Sequence, residues 1–260
     1  MYSREHKQFL KKIKREKLIV RSIQILILLL FLFLWQLAAN KGWINTFITS
    51  SPKEVINTLI KLSNDNLFEH IWVTIYETFI SFGLGTIIGI FIATILWWNH
   101  YLFKIFDPYL TILNSLPKVA LGPIIIIWCG SGIKSIIIMA LLISVIITII
   151  NISVCFNSVD SNKIKLLKSF QATKSQLFFK LIFPSSITSI VSSLKINISM
   201  SLIGVIMGEF LVSKKGIGYL ILYGSQIFNL NLVMTGIIVL CIVAALMYYI
   251  VLYLEKKLNK

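Results

Sequence analysis

Six runs of about 20 apolar residues limit what this chain can fold into more than any other feature of its sequence. A bilayer core about 30 Å thick is crossed by roughly 20 residues of α-helix, at a rise of about 1.5 Å per residue. Hydrophobic residues make up 57% of the 260 positions and charged residues only 13%, so a soluble globule could not bury its apolar surface. The sequence therefore predicts an all-α polytopic membrane protein.

The predicted spans are separated by short polar connections. They are residues 18–39, 71–98, 109–128, 133–155, 187–212 and 232–254. Pro117 interrupts the third run, and a Gly130-Ser131-Gly132 turn follows it. The first run is longer than the apolar part of a signal peptide and lacks a small-residue cleavage site, which favours a retained helix over a cleaved leader.

Basic residues fall mainly on one side of these spans. Seventeen of them lie in the tail before the first span, at its edge (Arg21), at position 104, in the connection 159–183 and at the C-terminus, whereas six lie in the alternate connections. Because positive residues concentrate in cytoplasmic loops, both termini are predicted to be cytoplasmic, which agrees with six spans. Topology therefore explains the formal charge of +15, and no nucleic-acid partner is expected.

The same pattern divides the chain into four segments. Residues 1–17 form a basic tail, and residues 18–64 form the first span with an external loop. Residues 65–254 form the main transmembrane domain, and residues 255–260 form a second tail.

No catalytic or nucleotide-binding motif occurs in the sequence. It contains no phosphate loop ending in Gly-Lys-Ser/Thr, no His-Glu-x-x-His and no Gly-x-Ser-x-Gly. Cys129, Cys155 and Cys241 are isolated in apolar sequence and are interpreted as packing residues. We therefore expect no catalytic residue, no metal and no cofactor bound by this chain.

Away from the edges of the predicted spans, four charged residues fall at membrane depth: Glu77, Lys118, Lys195 and Glu209. A charge at the bilayer centre costs roughly 3 kcal/mol, so each should face protein or water. Two interpretations stay open for Lys195 and Glu209, which either extend to headgroups at opposite interfaces or line a polar pathway. The distance of about 21 Å along a helix excludes a mutual ion pair.

Glycines four residues apart occur at positions 85 and 89 and at positions 204 and 208. This spacing lets helix backbones approach closely, either inside one subunit or between subunits, and packing inside one subunit is the favoured interpretation.

The connection 160–184 is the most informative polar segment. Leu166, Phe170, Leu177 and Leu181 recur at near-helical spacing with lysines between them, which predicts short amphipathic helices hinged near residues 171–173. Such helices could lie on the lipid surface with their bases toward anionic headgroups. Alternatively, they could be a lever that docks into a cytoplasmic partner.

This connection resembles the cytoplasmic loop of the membrane subunits of binding-protein-dependent ABC importers. The family pattern is Glu-Ala-Ala, three residues, Gly-Ala, an aromatic residue and an aliphatic-Pro step. Here the matching positions are Gln171-Ala172-Thr173, Phe178 and Phe183-Pro184. The chain departs from the pattern where Lys165-Leu166-Leu167 replaces Glu-Ala-Ala and where Gln171 replaces a glycine that tolerates positive φ.

Further runs are similar to the nitrate, sulfonate and taurine branch of these importers. They are Leu116 to Gly130, which resembles the third span of that branch, Ser193 to Ile196 at its Leu-Arg-aliphatic step, Gly204-Val205 followed by Glu209, and Gly216 to Ile221 at its Gly-Leu-Gly-Tyr-Leu-Ile run. The resemblance covers roughly residues 65–254 in the correct order.

The resemblance implies a type I ABC importer permease in the plasma membrane of a bacterium, a transport subunit and not an enzyme. It implies a second permease copy, two cytoplasmic ATPase subunits that use ATP and Mg, and an extracytoplasmic substrate-binding protein. The residues that it assigns to ATPase coupling are Lys165, Leu166, Leu167, Gln171, Ala172, Phe178 and Pro184. Those that it assigns to the translocation pathway or gate are Lys118, Lys195, Gly204, Glu209, Gly216 and Gly218.

The sequence does not select a substrate. Family members carry sulfonates, nitrate, taurine or vitamin precursors, and Lys118 and Lys195 support the hypothesis of an anionic solute. An ion-coupled secondary carrier stays an alternative, although it would need acidic residues in several spans and an internal repeat. A membrane enzyme or a protein-export component also fits six spans, but an enzyme would need convergent polar groups, which the sequence does not show. The membrane subunit of a vitamin-type importer is the nearest alternative, but it normally shows Ala-Arg-Gly-type loop motifs, and this loop has no arginine.

Overall fold

The fold is seen in a computed structural model that describes residues 4–258. Within that range the chain is helical and contains no strand. The long helices are α1 (Arg4–Asn40), α4 (Leu67–Trp98), α7 (Ile133–Asn157), α10 (Phe183–Val212) and α12 (Leu230–Leu258). The shorter helices are α2 (Thr46–Thr49), α3 (Pro52–Asn64), α5 (His100–Ser115), α6 (Gly122–Cys129), α8 (Ser161–Ser169), α9 (Lys174–Leu177) and α11 (Ile217–Gln226), with a 3₁₀ turn at Lys118–Leu121 and a π turn at Phe178–Ile182.

Five helices are long and apolar enough to cross a membrane, and they correspond to five of the six predicted spans. The third predicted span is not one straight helix. It consists of α5 and the segment Lys118–Cys129, which meet at an angle of 87°. Pro117 explains the break, because proline lacks an N–H and forces the preceding Leu116 into extended backbone, at φ −65° and ψ 139°.

Helix α7 lies at the centre of the bundle and packs against both α4 and α10. Glycines make this contact close. A Cβ atom on Gly89 would lie 2.5 Å from the Thr148 Cβ, and one on Gly204 would lie 2.5 Å from the Ala140 Cα. Both predicted glycine pairs therefore pack inside the chain, which was the favoured interpretation.

The polar side chains of the central helices turn inward. Thr74, Glu77, Thr78 and Ser81 form one buried face of α4, at the spacing of adjacent helical turns. Asn197 of α10 donates a 2.5 Å hydrogen bond to Thr86 of α4. Exposed positions of the same helices carry large apolar residues, as expected where hydrocarbon surrounds the bundle.

Helix α1 stands apart from this bundle. No residue in the most apolar stretch of α1 is buried. The main contact of α1 is with α3, where Gln36 accepts a 3.0 Å hydrogen bond from the Lys53 N–H. Lipid or another chain must cover the apolar surface of α1, since water would not.

Helices α8 and α9 lie together at one end of the bundle. That end also holds the last turns of α4 and α7, because Phe178 contacts both Trp97 and Phe156. We call this end the loop side. The predicted hinge between the two helices is confirmed: α8 ends at Ser169, α9 begins at Lys174, and Gln171 between them has a φ of 58°.

Candidate functional site

Glu209 is the centre of a buried hydrogen-bond network at the end of the bundle opposite to the loop side. Its Oε1 accepts a 2.6 Å hydrogen bond from the Thr74 hydroxyl of α4. Its Oε2 accepts a 2.6 Å hydrogen bond from the Gly218 N–H at the start of α11. The Thr74 oxygen in turn accepts a 2.8 Å hydrogen bond from the Ile217 N–H. Glu209 therefore joins α4, α10 and α11, and the interpretation in which it extends to headgroups is wrong.

The two glycines of the Gly-Ile-Gly run make room for the Glu209 carboxylate. Gly216 has a φ of 110°, which side chains rarely allow, and a Cβ there would overlap the carboxylate. A Cβ on Gly218 would lie 2.8 Å from Glu209 Oε2. The Gly216 N–H donates a 2.9 Å hydrogen bond to Nδ1 of His70, whose ring stacks on Tyr219. These contacts fix the turn between α10 and α11 against α4.

Glu77 lies beside this network and was not among the predicted site residues. It is fully buried on α4, one helical turn after Thr74, and its carboxyl group neighbours that of Glu209. Neither Glu77 oxygen accepts a hydrogen bond from a donor group within residues 4–258. The helical spacing of Thr74 and Glu77 was visible in the sequence, but the position of Glu209 beside both residues was not.

Lys195 forms an ion pair between α10 and α12 near the loop side. Its Nζ lies 3.0 Å from Oε2 of Glu255, and Oε1 of Glu255 accepts a 2.7 Å hydrogen bond from Ser192. The pair neutralises Lys195 inside the chain. In this structure Lys195 is therefore neither free to meet a solute nor extended to headgroups.

Lys118 occupies the break in the third span. Its Nζ donates a 2.8 Å hydrogen bond to the Asn114 carbonyl and a 3.4 Å one to the Asn114 side chain. No carboxylate of the described residues forms an ion pair with it. Lys118 is thus the predicted pathway lysine whose charge stays uncompensated inside the chain. Gly204, which was also assigned to the pathway, instead packs against α7.

Helices α8 and α9 are each defined by a local cap. The Asp160 side chain accepts a hydrogen bond from the Asn162 N–H at the start of α8. At the start of α9, Thr173 and Gln176 form a capping box. Each cap begins one helix, and Gln171 and Ala172 lie in the connection between the end of α8 at Ser169 and the start of α9 at Lys174.

The predicted coupling residues divide into exposed and buried groups. Lys165, Leu166, Gln171 and Pro184 are exposed, and Leu167 and Ala172 are half-buried. Phe178 is only 3% exposed, and its ring centroid lies 4.9 Å from that of Trp97 and 5.5 Å from that of Phe156. A direct contact of Phe178 with a partner is therefore wrong for this structure, because the ring is the internal anchor of the loop helices. Phe170, which the apolar spacing of the loop had indicated but which was not assigned to coupling, is 72% exposed.

Comparisons with known proteins agree with this arrangement. Residues 85–260 match the family described as binding-protein-dependent transport system inner membrane component. A probable ABC transporter permease protein of Haemophilus influenzae is 26% identical over 228 residues, which are 86% of this chain and 91% of that protein. The formylaminopyrimidine transport permease protein ThiX of Halalkalibacterium halodurans is 27% identical over 194 residues, covering 75% of this chain and 77% of that protein.

The solved structures give the same fold. A chain of the inward-facing MetNI methionine ABC transporter superposes with a TM-score of 0.66 at 18% identity, and the match covers 75% of this chain and 96% of that one.

A third relative was found by sequence. The putative aliphatic sulfonates transport permease protein SsuC of Bacillus subtilis is 26% identical, and the match covers 87% of this chain and 83% of that protein.

Proposed function

The chain belongs to the family of binding-protein-dependent transport system inner membrane components and is the permease subunit of an ABC importer, and we propose that it moves a small anionic solute across the inner membrane by alternating access. A separate ATPase supplies the energy, because the sequence contains no phosphate loop. The partners are two ATPase subunits, a second permease copy and an external substrate-binding protein. The loop side faces the cytoplasm, as the distribution of lysines predicts.

The observation that carries this proposal is the way in which the loop helices are attached. Phe178 is held among aromatic residues of α4 and α7, whereas Leu166 and Phe170 point away from the bundle and are 58% and 72% exposed. A purely lipid-bound helix would need no such internal anchor. An anchored helix with an exposed apolar face can transmit a push from a docked partner to the spans.

Lys118 supports the anionic solute. Unlike Lys195, it has no acidic partner among the described residues, and it lies where the backbone of the third span is broken. Irregular backbone at membrane depth is tolerated where it lines a cavity or is buried in protein. A half-buried lysine at such a break is suited to meet a negatively charged group. The aliphatic sulfonates named for the Bacillus subtilis relative are solutes of this kind.

The proposed dependence of transport on a separate ATPase and a binding protein is tested in proteoliposomes. We expect uptake only when the ATPase, the binding protein and ATP are all present. Leu166→Asp should weaken ATPase binding by about tenfold or more, since it places a charge in the centre of the apolar contact. Asn162→Asp, which adds the same charge to α8 without removing an apolar side chain, is the control. Solute accumulation by the chain alone on an ion gradient would contradict the proposal.

A further inference from the structure

A cavity of about 460 Å³ lies between the loop helices and the bundle on the loop side. Its lining includes Lys168 of α8, Lys174 of α9 and His100 at the start of α5. The Lys174 ammonium donates to the Trp98 carbonyl, so two of its three hydrogens are left for another acceptor. Among the described residues, neither lysine forms an ion pair. The cavity is therefore a positively charged space that this chain does not neutralise.

The inner wall of this cavity holds a buried hydroxyl group without a partner. Ser153 of α7 is 6% exposed, and its Oγ makes no hydrogen bond within residues 4–258. A buried polar atom left unsatisfied costs about 1–3 kcal/mol, so a turn of the Ser153 side chain toward a ligand oxygen in the cavity would gain a hydrogen bond. Asn157, one turn further along α7, also lines the cavity and adds an amide donor.

An apolar groove continues from the cavity into the membrane region. It has a volume of about 310 Å³ and shares Phe103, Ser153 and Asn157 with the cavity. From there it runs between α5 and α7 to Leu110 and Ile150. Both positions are seven residues further from the loop side, which corresponds to about 10 Å of helix. The groove thus extends from interfacial to hydrocarbon depth.

We propose that the cavity and the groove together hold one anionic phospholipid from the leaflet on the loop side. Its phosphate contacts Lys168, Lys174 and Ser153, and an acyl chain fills the groove. The apolar groove selects a lipid over free phosphate, and the charge selects an anionic lipid over a zwitterionic one. Asp107 also lines the groove, yet the two lysines leave an excess of positive charge.

A lipid in this position would join the loop helices to the ends of α4, α5 and α7. It would hold α8 and α9 at a fixed angle to the bundle and add to the Phe178 anchor. This consequence rests on the proposed role of the loop in ATPase coupling, whereas lipid binding itself does not. Binding is therefore measured on the purified chain without ATPase or transport.

Native mass spectrometry tests the binding in detergent with added phosphatidylglycerol or phosphatidylcholine. We expect a single retained phosphatidylglycerol per chain and no retained phosphatidylcholine. Lys168→Gln with Lys174→Gln should weaken phosphatidylglycerol binding by about tenfold, or about 1.4 kcal/mol. Lys163 and Lys180 are exposed, as are the two cavity lysines, but they do not line the cavity, so Lys163→Gln with Lys180→Gln removes the same charge and should leave binding unchanged.

A second variant separates the lipid from free phosphate. Val154 lines the groove and is 63% exposed, so Val154→Trp should fill the groove without disturbing the core. We expect this variant to lose phosphatidylglycerol while thermal unfolding stays unchanged. Equal retention of phosphatidylglycerol and phosphatidylcholine would overturn the proposal. An equal loss of phosphatidylglycerol binding in the Lys168/Lys174 and Lys163/Lys180 double variants would also overturn it. Displacement of the lipid by inorganic phosphate with no effect of Val154→Trp would also overturn it, since the ligand would then be the anion alone.

Discussion

The Thr74 hydroxyl donates a 2.6 Å hydrogen bond to the Glu209 carboxylate, although the two residues are 135 positions apart in the sequence. The same threonine oxygen accepts the Ile217 N–H. Thr74 is therefore both donor and acceptor in a contact that joins α4 to α10 and to the start of α11. All three groups are buried, so water cannot replace a lost partner.

Thr74→Val should destabilise the protein. The substitution keeps the shape of the side chain but leaves a Glu209 oxygen without its donor and the Ile217 N–H without its acceptor. We expect the free energy of unfolding to fall by about 2–3 kcal/mol, measured by thermal unfolding in detergent. Thr78→Val is the control, because the Thr78 hydroxyl is equally buried but bonds only to the backbone of its own helix. Equal losses in both variants would argue against the network.

Glu77→Gln should stabilise the protein. The Glu77 carboxyl group neighbours that of Glu209 and accepts no hydrogen bond from a donor among the described residues. Glutamine has nearly the same shape, carries no charge and offers an N–H donor to Glu209. We expect the free energy of unfolding to rise by about 1 kcal/mol. A lower melting temperature of Glu77→Gln would show that the glutamate is needed in this position.

Phe178→Ala should loosen the loop helices from the bundle. The ring is buried against Trp97 and Phe156, and truncation of such a phenylalanine costs about 3–5 kcal/mol. Phe179→Ala is a matched control because the Phe179 side chain is 64% exposed. Hydrogen exchange of α8 and α9 measures the effect, which should be faster in Phe178→Ala and unchanged in Phe179→Ala. Unchanged exchange in both variants would contradict the anchoring role.

Lys118→Gln should impair transport of an anionic solute without impairing folding. Removing the uncompensated charge should raise the KM for uptake about tenfold, the loss expected for one charge-assisted hydrogen bond. Lys195→Gln should leave KM unchanged and lower thermal stability, because its charge is held by Glu255. A KM that is unchanged in Lys118→Gln would remove the reason for proposing an anionic solute.

The long helices could be predicted from the sequence because apolar runs of the required length have few alternatives in a membrane. The hinge near Gln171 was likewise visible, since the apolar spacing changes there. The break at Pro117 was visible as a proline but its angle was not. The 87° bend depends on how α6 packs against α7, which is a tertiary contact.

The roles of individual polar residues were harder to predict. The partners of Glu209 and Lys195 come from α4 and α12, far away in the sequence, and a single sequence holds no signal for such pairs. The burial of Phe178 depends on aromatic residues that lie about 80 positions earlier, at the end of α4. The family pattern thus placed Phe178 correctly in the loop, but it did not show that the ring packs against the bundle and not against a partner.

Helices α4, α7 and α10 meet at glycines. Gly89 faces the Thr148 side chain and Gly204 faces the Ala140 backbone, and neither position has space for even a methyl group. Helices in such contact cannot slide or rotate past one another without a clash. We therefore expect these three helices to move as one block during a transport cycle. Any passage for a solute then has to open along the outer faces of that block, where α5 and α6 bend away and another subunit can approach.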